Sequence, residues 1–196
     1  DRTVSRGLGD VYKRQISNKE TLLVSILAGV SINRLTQKFP NHKCVRVVTN
    51  IPITVGKGLT GIAWGENLTK DQKQITKKLF ENTSKIYEFT EDYLDIFLAL
   101  TSSGPAIIAL IIEALSDGGL SGGLPKILSE ELIMEMILGT ISLIKENQLT
   151  PSELKNLVTS PGGTTISALR VLEKKSVRSA LIESIVSASN RSKEFN

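Results

Sequence analysis

The segment SPGGTT, residues 160–165, has the composition of an anion-binding loop at the start of a helix. Gly162 and Gly163 allow the backbone to approach a ligand closely, and the helix-forming residues TISALRVLEKK overlap its end. Unpaired amide N–H groups and the positive end of the helix dipole favour a carboxylate or a phosphate there. The hydroxyls of Thr164 and Thr165 could orient such a ligand. From the residues alone, capping of the helix is their simpler role, because serine and threonine are routine N-caps.

A second glycine-rich segment, GKGLTG at residues 56–61, matches the dinucleotide-binding pattern G-x-G-x-x-G. That pattern requires a strand before the glycines and a helix after them, so that the helix N-terminus can hold the pyrophosphate. The residues after Gly61 read IAWGEN, a strand-like run that a turn interrupts at Gly65. The segment is therefore interpreted as a glycine-lined turn and not as the cofactor fingerprint.

The other reactive side chains are few. One histidine and one cysteine allow neither a usual Ser-His-Asp triad nor a zinc cluster. His42 lies in the polar turn PNHK and is predicted to be solvated. Asp92 and Asp95 are three residues apart on a predicted helix, where a solvated face or a cap explains them. With so little acid-base machinery, an enzyme built from this chain needs a cofactor to carry its reaction.

Composition narrows the class of protein. With 40% hydrophobic and 22% charged residues, the 196-residue chain is globular. Its net charge of +4 forms no basic stripe and aromatic residues are few, which disfavours nucleic-acid binding. The longest apolar run, residues 106–112, is too short to span a bilayer, and the start lacks a signal-peptide pattern. Together with the single cysteine, Cys44, these features predict a soluble cytoplasmic protein without a metal site.

Residues 1–15, DRTVSRGLGDVYKRQ, show no sustained hydrophobic period and contain no initiator methionine. We interpret them either as a non-native adaptor sequence or as an ordinary flexible N-terminus, and we exclude them from the fold.

Strands and helices alternate from Thr21 to about residue 90, which predicts the parallel-sheet part of an α/β domain. The predicted strands are LLVSILAG, CVRVV, GLTGIAW and KIYEFT. Ser31 is a plausible helix N-cap, and residues 69–72 and 150–153 have the pattern of capping boxes. Ser176 is predicted to cap the last helix.

From Glu91 onward the pattern predicts only helices. The helix EELIMEMILGTISLIKEN is apolar on most of its circumference, so it must be buried on several sides. In so small a set of helices we expect a partner subunit to provide that cover. A monomeric bundle that buries its central helix unaided is the alternative.

Four segments together closely resemble pyrroline-5-carboxylate reductase: VTSPGGTTISALRVLE, TSSGPA, RVVTNIP and the stretch from Glu113 to Pro125. The resemblance runs from about Thr21 to Phe195. It implies an enzyme that reduces the imine of 1-pyrroline-5-carboxylate to L-proline with NADPH or NADH. It also implies that residues 16–90 are the C-terminal part of a Rossmann-like dinucleotide-binding domain. Residues 91–196 would be a helical dimerisation and substrate-binding domain that interlocks two subunits into a homodimer, or into a higher oligomer of dimers.

The resemblance assigns the site residues. Backbone amides and hydroxyls at Ser160, Gly163, Thr164 and Thr165 would bind the substrate carboxylate. Thr165 would in addition be the catalytic residue, through a hydrogen bond to the ring nitrogen that orients the substrate. The residues implied along the cofactor are Ile26, Leu27, Ala28, Asn50 and Glu91.

The chain also departs from the family pattern. Ser102 replaces a glycine and Ile107 replaces the tyrosine of the common S-G-S-G-P-A-Y motif, and Leu157 stands where some relatives have a polar residue. The first strand and the true G-x-G-x-x-G would precede Thr21, which implies an N-terminally truncated fragment that does not turn over by itself.

Two other functions remain open from the sequence: a noncatalytic helical dimerisation protein, and a related imine or keto-acid reductase with a changed substrate. The intact SPGGTT loop favours an enzyme.

Overall fold

The computed structural model describes residues 21–194. Residues 1–15, which the sequence sets apart, lie outside that range. The chain divides into two compact units: residues 21–103 together with 185–194 form the sheet unit, and residues 104–184 form the helical unit.

The sheet unit contains one four-stranded sheet in which the strands neighbour one another in chain order. The strands are β1 Leu22–Ser25, β2 Lys43–Thr49, β3 Gly58–Trp64 and β4 Ser84–Glu88. β1 pairs with β2, and β3 with β4, in parallel. β2 and β3 are antiparallel, because only a short connection with a 3-10 turn at Ile51–Val55 joins them, and a parallel crossover needs a dozen or more residues. The predicted α/β class is confirmed, and one antiparallel pair lies inside it.

Three helices belong to residues 21–103. They are α1 Ile32–Lys38, α2 Lys70–Lys78 and α3 Leu94–Thr101, and a 3-10 turn at Glu91–Tyr93 precedes α3. The Ser31 hydroxyl accepts a hydrogen bond from the Arg34 N–H, as predicted for an N-cap. Thr69 and Gln72 form the predicted capping box, in which each side chain accepts from the other residue's N–H.

Apolar side chains cover both faces of the sheet. Val45, Val47 and Ile62 form a buried cluster on one face. A second cluster on the other face contains Val48, Ala63, Leu94 and Phe97, two of them from α3. A strand such as β2 is therefore buried on both sides, as in a sheet with helices packed on each face.

The glycines of GKGLTG serve the backbone and the core. Gly56 has a φ of 69°, the left-handed conformation that glycine adopts without steric cost. A Cβ atom on Gly61 would lie 2.9 Å from the Phe97 ring. Residues 58–64 continue as β3, so no helix follows the glycines. The interpretation of this segment as something other than a cofactor fingerprint is confirmed.

The helical unit is made of five helices, the last of which ends in the sheet unit. They are α4 Gly104–Ser121, α5 Lys126–Glu146, α6 Pro151–Leu157, α7 Thr164–Lys174 and α8 Val177–Lys193. Thr150 and Glu153 form the predicted capping box of α6. Ser176 directly precedes α8 and its carbonyl accepts the Ala180 N–H, as predicted for the cap position, but its φ of 56° is left-handed and not extended.

Within residues 104–184, the apolar surface is largely exposed, and Leu154 is the one buried hydrophobic residue. The exposed residues of α4 and α5 are Ile108, Leu110, Leu115, Leu120, Ile127, Leu128, Leu132, Met134, Met136, Leu138, Ile141 and Leu143. The helical stretch Glu91–Ser121 reaches a mean hydropathy of 1.9 over 18 residues, of which 17% are buried. Length and composition would let this stretch cross a membrane, but a helix covered by a partner subunit has the same properties.

Candidate functional site

The loop between α6 and α7 reverses the chain at two glycines. Gly162 has a φ of 69°, and the N–H of Gly163 donates to the Ser160 carbonyl over 3.2 Å. Gly163 then returns to an extended conformation, with φ −77° and ψ 177°, and is the N-cap of α7. The left-handed residue followed by the extended one turns the chain directly into the helix.

The first amides of α7 lack acceptors within their helix. The first intrahelical bond of α7 runs from the Ser167 N–H to the Gly163 carbonyl, so the N–H groups of Thr164, Thr165 and Ile166 precede it. Gly163 occupies the N-cap position and has no side chain with which to satisfy them. The threonine hydroxyls do not cap the helix, so the capping alternative is wrong. Three N–H groups without an acceptor among residues 21–194, at the positive end of an 11-residue helix, are the geometry of an anion site.

The predicted substrate residues lie at the surface of the helical unit. Ser160 and Thr164 are exposed, whereas Gly163 and Thr165 are half-buried. The adjacent cavity of about 710 Å³ between α6 and α7 is lined by other residues, among them Lys155 and Arg170. The loop amides are therefore not enclosed by the residues of their own unit.

The predicted cofactor residues Ile26, Leu27, Ala28 and Asn50 follow the carboxyl ends of β1 and β2. Because these strands are parallel neighbours, their carboxyl ends meet at one edge of the sheet, which is where open α/β sheets bind ligands. Ile26 and Leu27 are 65% and 58% exposed, and they give this edge an apolar surface.

Asn50 joins three elements at the end of β2. Its side-chain amide donates to the Thr101 carbonyl over 3.1 Å, and its Oδ1 accepts from the Leu59 N–H over 2.8 Å. Ser102, one of the departures from the family pattern, adds a hydrogen bond from its hydroxyl to the Thr49 carbonyl. Asn50 is 7% exposed. Its buried hydrogen bonds therefore hold in place the edge on which the predicted cofactor residues lie.

Glu91 reaches the start of α1 and not the edge itself. β4 runs opposite to β2, so the turn that carries Glu91 follows the other edge of the sheet. Its Oε1 accepts the Ile32 N–H at 2.7 Å and Nη1 of Arg46 at 3.2 Å. Ile32 is the first residue of α1, and the segment before it begins at Ile26.

Arg46 is the centre of a buried polar network that sequence reasoning missed. Its Nη2 donates to Asp95 Oδ1 over 2.9 Å, and the same oxygen accepts the Ser192 hydroxyl at 2.9 Å. Asp95 is 6% exposed, so its interpretation as a solvated or capping residue is wrong. The available signal was the arginine in β2: a strand buried on both faces leaves its charge no route to water, and a buried charge requires partners.

The remaining reactive groups of residues 21–194 form no second cluster. Cys44 is buried, and burial raises the pKa of its thiol, which makes it a poor nucleophile. Among residues 21–194, no group of three or more His, Cys, Asp or Glu side chains is placed to hold a metal ion.

A family model, related sequences and solved structures all indicate the same family. A family model described as pyrroline-5-carboxylate reductase dimerisation matches residues 91–195. The pyrroline-5-carboxylate reductase of Synechocystis is 44% identical over 174 residues, and that of Glycine max is 38% identical over 178. These alignments cover 89% and 91% of this chain, which spans 65% of the length of each of the two relatives.

Two solved structures resemble the fold closely. A Plasmodium falciparum pyrroline carboxylate reductase with NADP bound matches with a TM-score of 0.86 and 32% identity, over 89% of this chain and 71% of that one. A pyrroline-5-carboxylate reductase from Coxiella burnetii matches with a TM-score of 0.83 and 33% identity, over 94% of this chain and 69% of that one.

Proposed function

Because the chain belongs to the pyrroline-5-carboxylate reductase family, we propose that it serves the reduction of 1-pyrroline-5-carboxylate to L-proline by NADPH or NADH. The observation that supports this most directly is the row of three amides at the start of α7. A ring carboxylate is the anion that such a site suits, because the N–H groups and the helix dipole complement its charge without a cationic side chain.

The substrate residues have distinct roles in this proposal. Amides of Thr164 and Thr165 bind the carboxylate, and Gly163, which has no side chain, lets it approach the helix end. The Ser160 hydroxyl lies beside Gly163, since a Cβ atom on that glycine would be 2.5 Å from it. Ser160 therefore contributes a further donor at the same position.

Thr165 is the residue that we assign to the imine. Its hydroxyl forms a hydrogen bond with the ring nitrogen, as donor to the lone pair of the imine or as acceptor from the N–H of the iminium, and thereby fixes which face of the ring is presented. A threonine hydroxyl is too weak an acid to protonate the nitrogen, so the proton comes from solvent or is already present on an iminium. Positioning then supplies most of the rate enhancement from the protein.

The edge formed by Ile26, Leu27 and Ala28 is the part of this chain that fits a nicotinamide nucleotide. Two exposed aliphatic side chains suit the flat face of a base, and Asn50 holds the neighbouring strand end in place. The Plasmodium falciparum relative is described with NADP bound. The cofactor supplies the hydride that reduces the imine carbon. Glu91 contributes to this cofactor site by accepting the N–H of Ile32, the first residue of α1.

A homo-oligomer, at least a dimer, is the proposed assembly. The family model that matches residues 91–195 is one of dimerisation, and the exposed apolar residues of α4 and α5 exceed what a single chain covers. A second subunit would also enclose the SPGGTT loop. We place the enzyme in the cytoplasm, where the free thiol of Cys44 stays reduced.

The test is a comparison of ligands and variants in the full-length protein. We expect calorimetry to detect binding of L-proline. It should detect no binding of L-prolinamide, which lacks the carboxylate. Thr165→Ala should lower kcat/KM for the imine by about tenfold, the value of one neutral hydrogen bond, and Thr165→Ser should restore most of it.

Equal binding of L-proline and L-prolinamide would contradict the carboxylate site. A folded, oligomeric protein that binds neither compound and oxidises no NADPH with the imine would instead be a noncatalytic dimerisation protein. Turnover of other cyclic imines in preference to this one would indicate a changed substrate.

A further inference from the structure

Arg46 is connected to both ends of residues 26–31, the segment that precedes α1. The backbone of Arg46 pairs with Ser25, the last residue of β1, where the segment begins. Its side chain binds Glu91, which in turn accepts the N–H of Ile32, where the segment ends. Residues 26–31 are thus held between two points that meet at Arg46.

The network continues on the other side of the guanidinium. Nη2 of Arg46 binds Asp95 of α3, and Asp95 accepts the hydroxyl of Ser192 near the end of α8. One oxygen of each carboxylate accepts two hydrogen bonds. Glu91 thereby links Arg46 to α1, and Asp95 links Arg46 to α8. Arg46 is 1% exposed, and its Nε has no hydrogen-bond partner among residues 21–194.

Stability alone is a weak reason for such an arrangement. Apolar side chains of similar volume often replace a buried ion network without loss of stability, because burial of the charges offsets much of their attraction. What apolar packing does not supply is a directional bond to a particular backbone N–H. The bond from Ile32 to Glu91 is such a contact, and its geometry depends on where Arg46 holds the carboxylate.

We propose that Arg46 is a positioning residue for the nicotinamide nucleotide: through Glu91 it fixes the first residue of α1, and so the segment 26–31, which begins with the proposed cofactor residues Ile26–Ala28. This inference rests on the proposed function, because that function places the cofactor at Ile26–Ala28. It assigns to Arg46 an effect on cofactor affinity without any contact with the cofactor.

The experiment measures NADPH affinity in the full-length protein, both by direct fluorescence titration and as KM in the presence of the imine. Arg46→Met fills a similar volume and removes both ion pairs. We expect the Kd and the KM for NADPH to rise by about tenfold, as for the loss of one charge-assisted hydrogen bond, while kcat changes less than about twofold. The matched control is Ile62→Ala, a buried position in the same sheet that belongs to the apolar cluster with Val45 and Val47. It should lower the Tm and leave the Kd for NADPH unchanged.

A second pair of variants tests the tether without removing a buried charge. Ile32→Pro deletes the N–H that Glu91 accepts, and proline is tolerated there because Ile32 is the first helical residue and Ser31 is extended, with ψ of 155°. Ile32→Ala keeps the N–H and loses a comparable part of the side chain. We expect the Kd for NADPH to rise more in Ile32→Pro than in Ile32→Ala.

An equal Kd in Ile32→Pro and Ile32→Ala would overturn the inference, as would an Arg46→Met variant that folds and binds NADPH as tightly as Ile62→Ala does. A wild-type protein that binds no nicotinamide nucleotide would overturn it together with its premise. If the wild-type protein binds NADPH but does not reduce the imine, the proposed function fails, and the variants still decide the role of Arg46.

Discussion

Nη2 of Arg46 and Oδ1 of Asp95 lie 2.9 Å apart, in a place where the two side chains are 1% and 8% exposed. The residues are 49 positions apart in the chain, and β2 and α3 bring them together. Because water is excluded on both sides, neither charge can be removed without leaving the other short of a partner.

We therefore expect Asp95→Leu to be among the most destabilising single substitutions in the sheet unit. Removal of one partner from a buried ion pair costs about 3–5 kcal/mol, because the remaining charge stays buried. Ser192→Ala removes only the hydroxyl that donates to the same carboxylate and should cost about 1 kcal/mol. Urea unfolding of the full-length protein measures both values. Similar losses in the two variants would mean that Arg46 finds another partner when Asp95 is absent.

The two loop glycines should respond differently to alanine. Gly162 has a φ of 69°, so Gly162→Ala places a Cβ atom in the left-handed region and should cost about 1–2 kcal/mol of stability. Gly163 has an ordinary φ, but its new Cβ would meet the Ser160 hydroxyl at 2.5 Å. Gly163→Ala should therefore weaken L-proline binding, and it should lower the Tm less than Gly162→Ala does.

The double variant Gly163→Ala with Ser160→Ala tests the cause, because it restores space and leaves the amides in place. Because the carboxylate is proposed to approach the helix end at Gly163, L-proline binding in the double variant should remain weaker than in Ser160→Ala alone. Equal binding in these two variants would show that the loss in Gly163→Ala comes from the contact with Ser160 and not from contact with the ligand.

An acidic side chain on α5 should dissociate the proposed oligomer. Leu138 is 59% exposed in the single chain, and burial of a carboxylate against a partner subunit is unfavourable. We expect Leu138→Glu to lower the molar mass measured by analytical ultracentrifugation. Leu79→Glu makes the same change at a residue that is 61% exposed and lies in the sheet unit, and it should leave the mass unchanged. Equal masses for all three proteins would place the contact between subunits elsewhere.

The single tryptophan reports one titration. The Trp64 Nε1–H donates to Glu88 Oε2 over 2.7 Å, and Lys77 binds the other carboxylate oxygen. The hydrogen bond from Lys77, followed by that from Trp64, lowers the pKa of Glu88. A lowered folded-state pKa means that the charged form contributes stability at neutral pH, and this contribution is lost as the pH falls through that value.

Trp64 fluorescence should accordingly change at a pH below the usual glutamate value of about 4.3. Glu88→Gln keeps an acceptor for the indole but does not titrate, so the fluorescence step should disappear in this variant. A step that persists in Glu88→Gln would belong to another group.

The sequence predicted most of the features that depend on residues within one turn of helix. Ser31, Thr69 and Thr150 cap their helices as expected, because a cap needs only a side-chain oxygen and an N–H two or three residues later. The strand GLTGIAW was found with its observed limits, since a buried strand carries its own apolar pattern. The composition of the SPGGTT loop also predicts a ligand site, but capping by its threonines is not observed, because Gly163 is the N-cap.

The sequence also missed features that arise between distant elements. The antiparallel pairing of β2 and β3 depends on the 3-10 turn that joins them, and strand patterns alone do not reveal direction. Asp95 was interpreted as solvated because its partners, Arg46 and Ser192, lie 49 and 97 residues away. Nothing local in the helical pattern distinguishes a carboxylate that faces water from one that faces a buried arginine.

The sequence by itself determined the elements, the caps and the composition of the ligand loop, because these follow from interactions within about four residues. The structure showed that Gly163, and neither threonine, is the N-cap of α7, a local choice that the composition of the loop left open. Only the tertiary structure decided that Arg46 lies between two carboxylates, since a charge acquires its partners only when strand and helices pack and water is excluded.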